Sequence, residues 1–265
     1  MQNNKKKILF SWSGGGLSGL DIHAGIWRAL SEAGIESTHN IGTSAGAIMA
    51  AFNSTGMHNA DAEGILRWLS DKDVRRERFM WKSRMFWIDS FMKHEPIRKL
   101  LTDNLPEKFF QLVKPLAISV TDEKSARQEI LLEGDLHEAV LASMSISGIW
   151  PPVKIGGQLY SDGGTTANLP MPGNVAEYDE VYLLISKRPI DYKKTRGLLT
   201  RWMRNVDIMF EDQMRETIEL ARSTCKVVRV VWPETTVPNG SLHFDHTLID
   251  DAYVLSQAII GEGDF

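Results

Sequence analysis

The sequence predicts an α/β fold, a single domain with a mainly parallel central sheet and helices on both faces. Three observations support this prediction. The first fifty residues alternate between apolar strand-like runs and helical patterns, an order typical of parallel sheets with right-handed crossovers. The chain has 265 residues, enough for one large α/β domain. No internal repeat, low-complexity tract or linker-like segment divides it.

The elements at the N-terminus follow from local patterns. Residues 7–12 contain a short apolar run and a tryptophan, which predicts a buried strand. Residues 20–33 carry apolar side chains at helical spacing and end before Gly34, a typical helix C-cap residue. Residues 38–41 predict a second strand, and residues 44–52 predict a buried helix of small and apolar side chains.

The same patterns predict the remaining elements. Two short apolar runs around Gly156–Gly157 predict a hairpin. We expect one domain over residues 1–265, with a helical insertion or lid at about 60–113. Strands are expected over residues 116–122, 128–133, 180–186 and 226–233, and helices over residues 136–144, 197–222 and 247–260.

The composition restricts the partners and the compartment. A formal net charge of −4 gives no electrostatic basis for nucleic acid as the main partner. The one cysteine, Cys225, cannot form an internal disulfide, and no Cys/His spacing is typical of a zinc site. The apolar run after the N-terminal lysines is too short for a signal peptide, and no run approaches a membrane span. We therefore expect a cytoplasmic protein without a metal site.

Three consecutive glycines, Gly14, Gly15 and Gly16, follow the first strand. Glycine loses more freedom on folding than any other residue, so such a run indicates that a reacting group or ligand lies against the backbone. Residues 14–19 also match G-x-G-x-x-G, the dinucleotide fingerprint. That motif requires an acidic residue at the end of the second strand, where this chain has "THNIG". A dinucleotide-binding protein is therefore the less favoured interpretation.

The second strand leads into "GTSAG", a G-x-S-x-G pattern centred on Ser44. This pattern places a serine on a strained strand-to-helix turn, with its hydroxyl exposed near a helix N-terminus. A helix N-cap is the simpler interpretation of the pentapeptide alone. Both this turn and the glycine run follow parallel strands, so they lie at the same edge of the sheet. We therefore predict that Ser44 is an acyl-transfer nucleophile and that the amides of Gly14–Gly16, with that of Ala45, bind the oxyanion.

A serine hydroxyl needs a base to take its proton. In the chain order of α/β-hydrolases, His243 or His246 would complete a triad with Asp162 or Asp207. In that fold, however, the serine follows several strands, whereas Ser44 follows the second. Asp162 is the alternative base, because it ends a short strand and precedes two glycines. A surface turn is the simpler interpretation of this "DGG" when it is taken alone.

The motifs "SGGGLSG", "GTSAG" and "DGG", in this order, resemble the patatin-like phospholipase family. Residues 25–35 and 116–170 are also similar to that family, and the resemblance covers most of residues 7–190. It implies a patatin-like three-layer sandwich, a dyad of Ser44 and Asp162 in place of a triad, and an oxyanion hole at the glycine run.

Two positions depart from the family pattern. Ser18 stands where the family usually has arginine or lysine, and Ser147 stands where it often has proline. A missing cation weakens electrostatic support for the oxyanion loop or for a phosphate headgroup. Backbone amides need no side chain, so the departure at Ser18 bears more on a phospholipid substrate than on catalysis.

Residues 78–92 mix tryptophan, phenylalanine and methionine with basic side chains. Core packing and a lid or lipid-facing surface are both open interpretations. The basic stretch at 192–206 is likewise either a solvated helix face or a contact for anionic lipid. If the first segment walls an acyl channel, the lining residues are Phe79, Trp81, Met85, Phe86 and Phe91.

These observations predict a serine lipid acyl hydrolase that cleaves carboxylic esters of phospholipids or related lipids. The mechanism needs no metal or organic cofactor. We expect a lipid substrate as the partner and a cytoplasmic location. Peripheral contact with a membrane is an open alternative to a purely cytoplasmic location. The alternative from another class is a lipid-binding or regulatory protein of the same fold with weak catalysis.

Overall fold

The structure is a computed structural model that describes residues 6–69, 94–186, 198–234 and 244–262. Short 3-10 turns lie at Phe109–Gln111 and Val175–Glu177. The strands are β1 (Ile8–Trp12), β2 (His39–Gly42), β3 (Leu116–Asp122), β4 (Arg127–Leu131), β5 (Val153–Ile155), β6 (Gln158–Asp162), β7 (Glu180–Leu184) and β8 (Val228–Val231). The helices are α1 (Gly16–Glu32), α2 (Ala45–Ser54), α3 (Asn59–Trp68), α4 (Glu95–Asn104), α5 (Leu136–Met144), α6 (Gly164–Ala167), α7 (Leu198–Thr224) and α8 (Thr247–Gly261).

The described strands form one sheet in the order β5-β6-β3-β2-β1-β7-β8, with β4 paired to β3. The pairs β1–β2, β2–β3, β1–β7 and β7–β8 are parallel. Strands β4 and β6 run antiparallel to β3, and β5 runs antiparallel to β6. The predicted α/β class with a mainly parallel sheet is thereby confirmed.

Helices pack on both faces of this sheet, and successive strand residues therefore face two different apolar cores. In β1, Leu9 belongs to one apolar core, whereas Phe10 and Trp12 belong to the other. Met214 and Ile218 of α7 pack into the core of Leu9. Helices α1, α2, α5 and α8 supply the core that contains Phe10 and Trp12. This arrangement gives the three layers that the sequence predicts.

One edge of β3 holds two strands end to end. Strand β2 runs parallel to β3 and ends with Gly42 opposite Ile118. Strand β6 runs antiparallel and ends with Asp162 opposite Val120. Strand β4 pairs with both of these β3 residues, so it occupies the other edge. The carboxyl ends of β2 and β6 therefore meet head to head, and the turn after Gly42 lies beside Asp162.

Helix α1 begins earlier than the apolar pattern predicts. It starts at Gly16, the third glycine of the run, and not at Leu20. Glycine and serine are weak helix formers, so the pattern gives no signal for this first turn. Packing in the interior stabilises this first helical turn, since Leu17, Ser18 and the residues after them are buried. None of the described helices combines the length and apolarity needed to cross a bilayer.

Candidate active site

Ser44 lies on the turn between β2 and α2 in a strained backbone conformation. Its φ is 53° and its ψ is −121°, a region that costs a non-glycine residue on the order of 1–3 kcal/mol. The flanking glycines make the turn possible. A Cβ on Gly42 would lie 2.8 Å from the Cα of Ala47, and a Cβ on Gly46 would lie 2.5 Å from the carbonyl oxygen of Ser13. Close backbone contacts therefore require both glycines of the G-x-S-x-G pattern.

The C-terminal end of α5 holds both Ser44 and Asp162. The amide of Ser44 donates to Ser143 Oγ at 2.9 Å, and this hydroxyl donates to the carbonyl of Ser119 at 2.7 Å. The amide of Asp162 donates to the carbonyl of Ser145 at 2.9 Å. No sequence motif distinguishes Ser143 or Ser145. The available signal is three alternating serines, Ser143, Ser145 and Ser147, at and after the end of α5.

The carboxyl group of Asp162 is buried at the end of β6, with 5% of the residue exposed. Its Oδ1 accepts the amide of Gly164 at 2.6 Å, and no described residue donates a hydrogen bond to its Oδ2. Burial raises the pKa of Asp162 to about 6, and the Ser44 hydroxyl and the Gly164 amide oppose part of this rise. The Ser44 hydroxyl thus lies close enough to the carboxyl group to lower its pKa.

No histidine in the described part of the chain forms a hydrogen bond with Ser44. His246, one of the two histidines that an α/β-hydrolase order would use, has both ring nitrogens engaged elsewhere. Its Nδ1 lies 2.9 Å from Asp21 Oδ1, and its Nε2 lies 3.0 Å from the carbonyl oxygen of Leu69. His246 therefore offers no ring nitrogen to Ser44. His243 lies outside the described residues, as does the side chain of Asp207.

The glycine loop leaves two backbone amides without an acceptor among the described residues. The amide of Ser13 donates to β7, and the amide of Gly14 donates to the carbonyl of Asn168 at 2.8 Å. The amides of Gly15 and Gly16 have no such partner within the described ranges. Gly16 is the first residue of α1 and has a φ of 66°, in the left-handed region that favours glycine. Two unpaired donors thus stand at a helix N-terminus, a site that favours negative charge.

Three chain segments converge around Ser44. A Cβ on Gly14 would lie 3.5 Å from the Ser44 Cβ, so the glycine loop lies against the serine turn. Residues that follow Asp162 connect to both. The carbonyl of Asn168 accepts the Gly14 amide, and the carbonyl of Ala167 accepts a hydrogen bond from Thr43 Oγ1 at 3.0 Å. Hydrogen bonds therefore link the glycine loop, the serine turn and the loop after Asp162.

The structure describes only part of the predicted surroundings of this site. Ser18, at the position that the family usually gives to a cation, is a buried residue of α1. Ala45 is the first residue of α2, so its amide has no acceptor within that helix. The predicted acyl-channel residues lie outside the described residues; they are Phe79, Trp81, Met85, Phe86 and Phe91.

Comparisons with known proteins agree with these motifs. A family model described as patatin-like phospholipase matches residues 10–173. An NTE family protein of Mycobacterium tuberculosis is 33% identical over 192 residues, which is 71% of this chain and 31% of that protein. The lysophospholipase NTE1 of Pyricularia oryzae is 32% identical over 171 residues, which is 62% of this chain and 11% of that protein. This chain thus spans less than a third of the length of either relative.

Among solved structures, VipD from Legionella pneumophila has a similar fold. The TM-score is 0.52 at 13% sequence identity, over 97% of this chain and 67% of that chain. The matched span of the family model contains the glycine run, Ser44 and Asp162, and it covers more than half of the sequence. On this evidence the chain belongs to the patatin-like phospholipase family.

Proposed function

We propose that this chain is a serine lipid acyl hydrolase that cleaves carboxylic esters of phospholipids, lysophospholipids or related lipids. One observation carries the proposal. A strained serine, a buried carboxyl group with a pKa of about 6 and two unpaired helix-terminal amides converge on one small region. The family membership supports the reaction class, and the name of the NTE1 relative supports a lysophospholipid among the substrates.

In the proposed first step, Ser44 Oγ attacks the ester carbonyl carbon while Asp162 takes the hydroxyl proton. The electron pair of the carbonyl moves onto its oxygen, and the amides of Gly15, Gly16 and Ala45 stabilise this oxyanion. The tetrahedral intermediate then expels the alcohol, which receives the proton from Asp162. In the second step Asp162 activates a water molecule, which hydrolyses the acyl–Ser44 ester by the same sequence of proton transfers.

The proposed donor set is narrower than the one predicted from the sequence. The amide of Gly14 already donates to Asn168, so in this conformation we assign it the role of fixing the loop. Losing one oxyanion donor typically costs a serine hydrolase about 100- to 1,000-fold in kcat. Two or three preorganised amides would therefore account for a large part of the rate enhancement.

The environment of Asp162 suits a general base. A free aspartate has a pKa near 4 and is a weak base at neutral pH. Burial raises the pKa of Asp162 to about 6, which strengthens the base while leaving it mostly ionised at pH 7. A histidine is not needed when the carboxylate itself has this basicity.

A lipid-binding protein with weak catalysis is the second candidate, and Ser18 is the observation that favours it. A buried hydroxyl replaces the usual cation on the first turn of α1. The loss of this charge would weaken both oxyanion stabilisation and the binding of an anionic headgroup. Labelling by a fluorophosphonate separates the two candidates, because rapid reaction at Ser44 requires an activated serine.

The test is hydrolysis of p-nitrophenyl acyl esters by the wild type and three variants. We expect Ser44→Ala and Asp162→Asn to lose at least about 1,000-fold in kcat. Ser256→Ala is the matched control, because Ser256 is a buried serine of α8 whose hydroxyl has no partner among the described residues. Undiminished turnover by Ser44→Ala would refute the mechanism. Parallel assays with lysophosphatidylcholine and monoacylglycerol then distinguish phosphate-bearing from neutral substrates.

A further inference from the structure

His23 is a fully buried imidazole on α1 that the proposed chemistry does not use. It is 0% exposed, and its ring packs edge-on against Trp12 with the ring centroids 5.4 Å apart. Its Nε2 lies 2.8 Å from the carbonyl oxygen of Ser13, and its Nδ1 has no partner among the described residues. Because a carbonyl oxygen can only accept, the ring proton is on Nε2 and is donated to Ser13.

The unpaired Nδ1 of His23 lowers the stability of the fold, so packing alone does not explain a histidine at this position. A buried polar atom without a partner destabilises the fold, whereas an apolar side chain of similar size would avoid that loss. Burial also lowers the pKa of His23 to about 4, so the ring is neutral at neutral pH. What the imidazole adds to an apolar ring at this place is the hydrogen bond to Ser13.

That hydrogen bond fixes the peptide unit that precedes the two unpaired amides. A peptide unit is planar and trans, so the Ser13 carbonyl and the Gly14 amide point in opposite directions. His23 holds the carbonyl, and the carbonyl of Asn168 holds the amide, each at 2.8 Å. The next carbonyl, that of Gly14, lies 3.2 Å from Ser13 Oγ and 3.3 Å from Ser186 Oγ. Every backbone polar group from the Ser13 amide to the Gly14 carbonyl thus has a partner.

Glycine backbones are the most permissive, so a run of three cannot fix its own amides. Donors stabilise a transition state well only when they are oriented before the charge develops. The direction of the Gly15 and Gly16 amides therefore depends on the peptide unit before them and on the start of α1. His23 connects these two parts, since it belongs to α1 and binds the residue before the glycine run.

We propose that His23 is a positioning residue of the oxyanion hole, whose Nε2–H holds the Ser13 carbonyl and so orients the amides of Gly15 and Gly16. The inference rests on the proposed function. His23 acts on the reaction only through the loop. The expected defect is thus weaker binding of the tetrahedral intermediate with unchanged binding of the ester.

The experiment compares His23→Leu and His23→Phe, which lack the donor, with His23→Gln, whose side-chain amide nitrogen can replace Nε2. The substrate is a short-chain p-nitrophenyl ester, and a trifluoromethyl ketone of matching chain length serves as the tetrahedral mimic. We expect the donor-free variants to lose about 10- to 100-fold in kcat, with KM within twofold of the wild type. Affinity for the trifluoromethyl ketone should fall by the same factor as kcat, and His23→Gln should recover most of both.

His137→Leu is the matched control, because His137 Nε2 also bonds a backbone carbonyl, that of Leu105, at 3.1 Å. This variant should leave kcat and ketone affinity unchanged. Glycine-selective ¹⁵N spectra give a reading that does not depend on turnover: the Gly15 and Gly16 resonances should broaden or divide in His23→Leu or His23→Phe, and should stay unchanged in His137→Leu. Two donor-free variants are used so that one folding failure leaves the test intact.

Wild-type kcat, ketone affinity and glycine spectra in a folded donor-free variant would overturn the positioning role. A His23→Gln variant no better than His23→Leu would also overturn it, because the donated hydrogen bond would then be irrelevant. If the wild type hydrolyses esters in a Ser44-dependent manner, the proposed function stands whatever His23 does. A wild type without such turnover refutes the function, and the glycine spectra then still decide whether His23 orders the loop.

Discussion

Replacement of Asp162 by asparagine should abolish activity and stabilise the fold at neutral pH. Burial raises the pKa of this carboxyl group from 3.8 to about 6. The folded protein therefore holds the proton more tightly than the unfolded chain, and stability falls as the pH rises from about 4 to about 6. At about 1.4 kcal/mol per pKa unit, keeping the carboxylate ionised costs the fold about 3 kcal/mol above this range.

The expected gain is smaller than this full cost. Asparagine has no charge, and its Oδ1 can still accept the amide of Gly164. Its amide group, however, replaces an Oδ2 that has no partner among the described residues. An unpaired buried polar group destabilises by about 1 kcal/mol at the lower limit. We therefore expect Asp162→Asn to be about 2 kcal/mol more stable than the wild type at pH 8, with no gain at pH 4.

Urea unfolding of both proteins at pH 4, 6 and 8 measures this difference, and ester hydrolysis measures the loss of activity. Asp122→Asn is a control of opposite sign. Hydrogen bonds from Ser125 and Lys124 lower the pKa of Asp122, so its ionised form stabilises the fold above the unfolded pKa. Its replacement should lower stability at pH 8. Equal stability of Asp162→Asn and wild type at pH 8, or a difference that does not vary with pH, would refute the reasoning.

Four further predictions concern the same site. The kcat/KM of the wild type should be level above pH 6 and fall about tenfold per unit below it, because protonation of Asp162, with its pKa of about 6, removes the base. Ser44→Gly should be about 1 kcal/mol more stable to heat than Ser44→Ala, since glycine accepts the φ of 53°; an equally stable Ala variant would count against strain. Gly46→Ala should destabilise by about 3 kcal/mol or more, because its Cβ would overlap the backbone at the end of β1, whereas Gly64→Ala, whose Cβ meets nothing within 4 Å, should stabilise. Ser143→Ala should cost about 1–3 kcal/mol in urea unfolding and lower kcat, because it leaves the buried Ser44 amide unpaired; wild-type values in both assays would remove Ser143 from the site.

The sequence predicts those parts of the site that depend on local backbone geometry. Gly42 is required by contacts within the serine turn and Gly46 by the backbone at the end of the neighbouring strand β1, and the two glycines with Ser44 form a recognisable pattern. Asp162 is predictable because a strand end and two glycines surround it, although its meeting with Ser44 depends on the pairing of two strands with β3.

The rest depends on contacts between distant segments, which no local pattern predicts. Ser143 reaches the Ser44 amide only because α5 packs beside the middle of β3, where Ser143 donates to Ser119. The Gly14 amide donates to Asn168, although its place in the glycine run predicts an oxyanion donor like Gly15 and Gly16. His23 has no distinguishing spacing, because its role follows from the fold of the helix back onto the loop before it.

The end-to-end arrangement of β2 and β6 determines which part of the chain sets the separation between Ser44 and Asp162. The terminal residues of these strands, Gly42 and Asp162, face β3 positions two residues apart, Ile118 and Val120. At about 3.4 Å per residue, this fixes an offset of about 7 Å along a single supporting strand. Insertions in the surface connections between the two residues leave this offset intact, whereas one added residue within β3 changes it directly. The length of the intervening chain is thus open to evolutionary change while the reactive geometry stays constant.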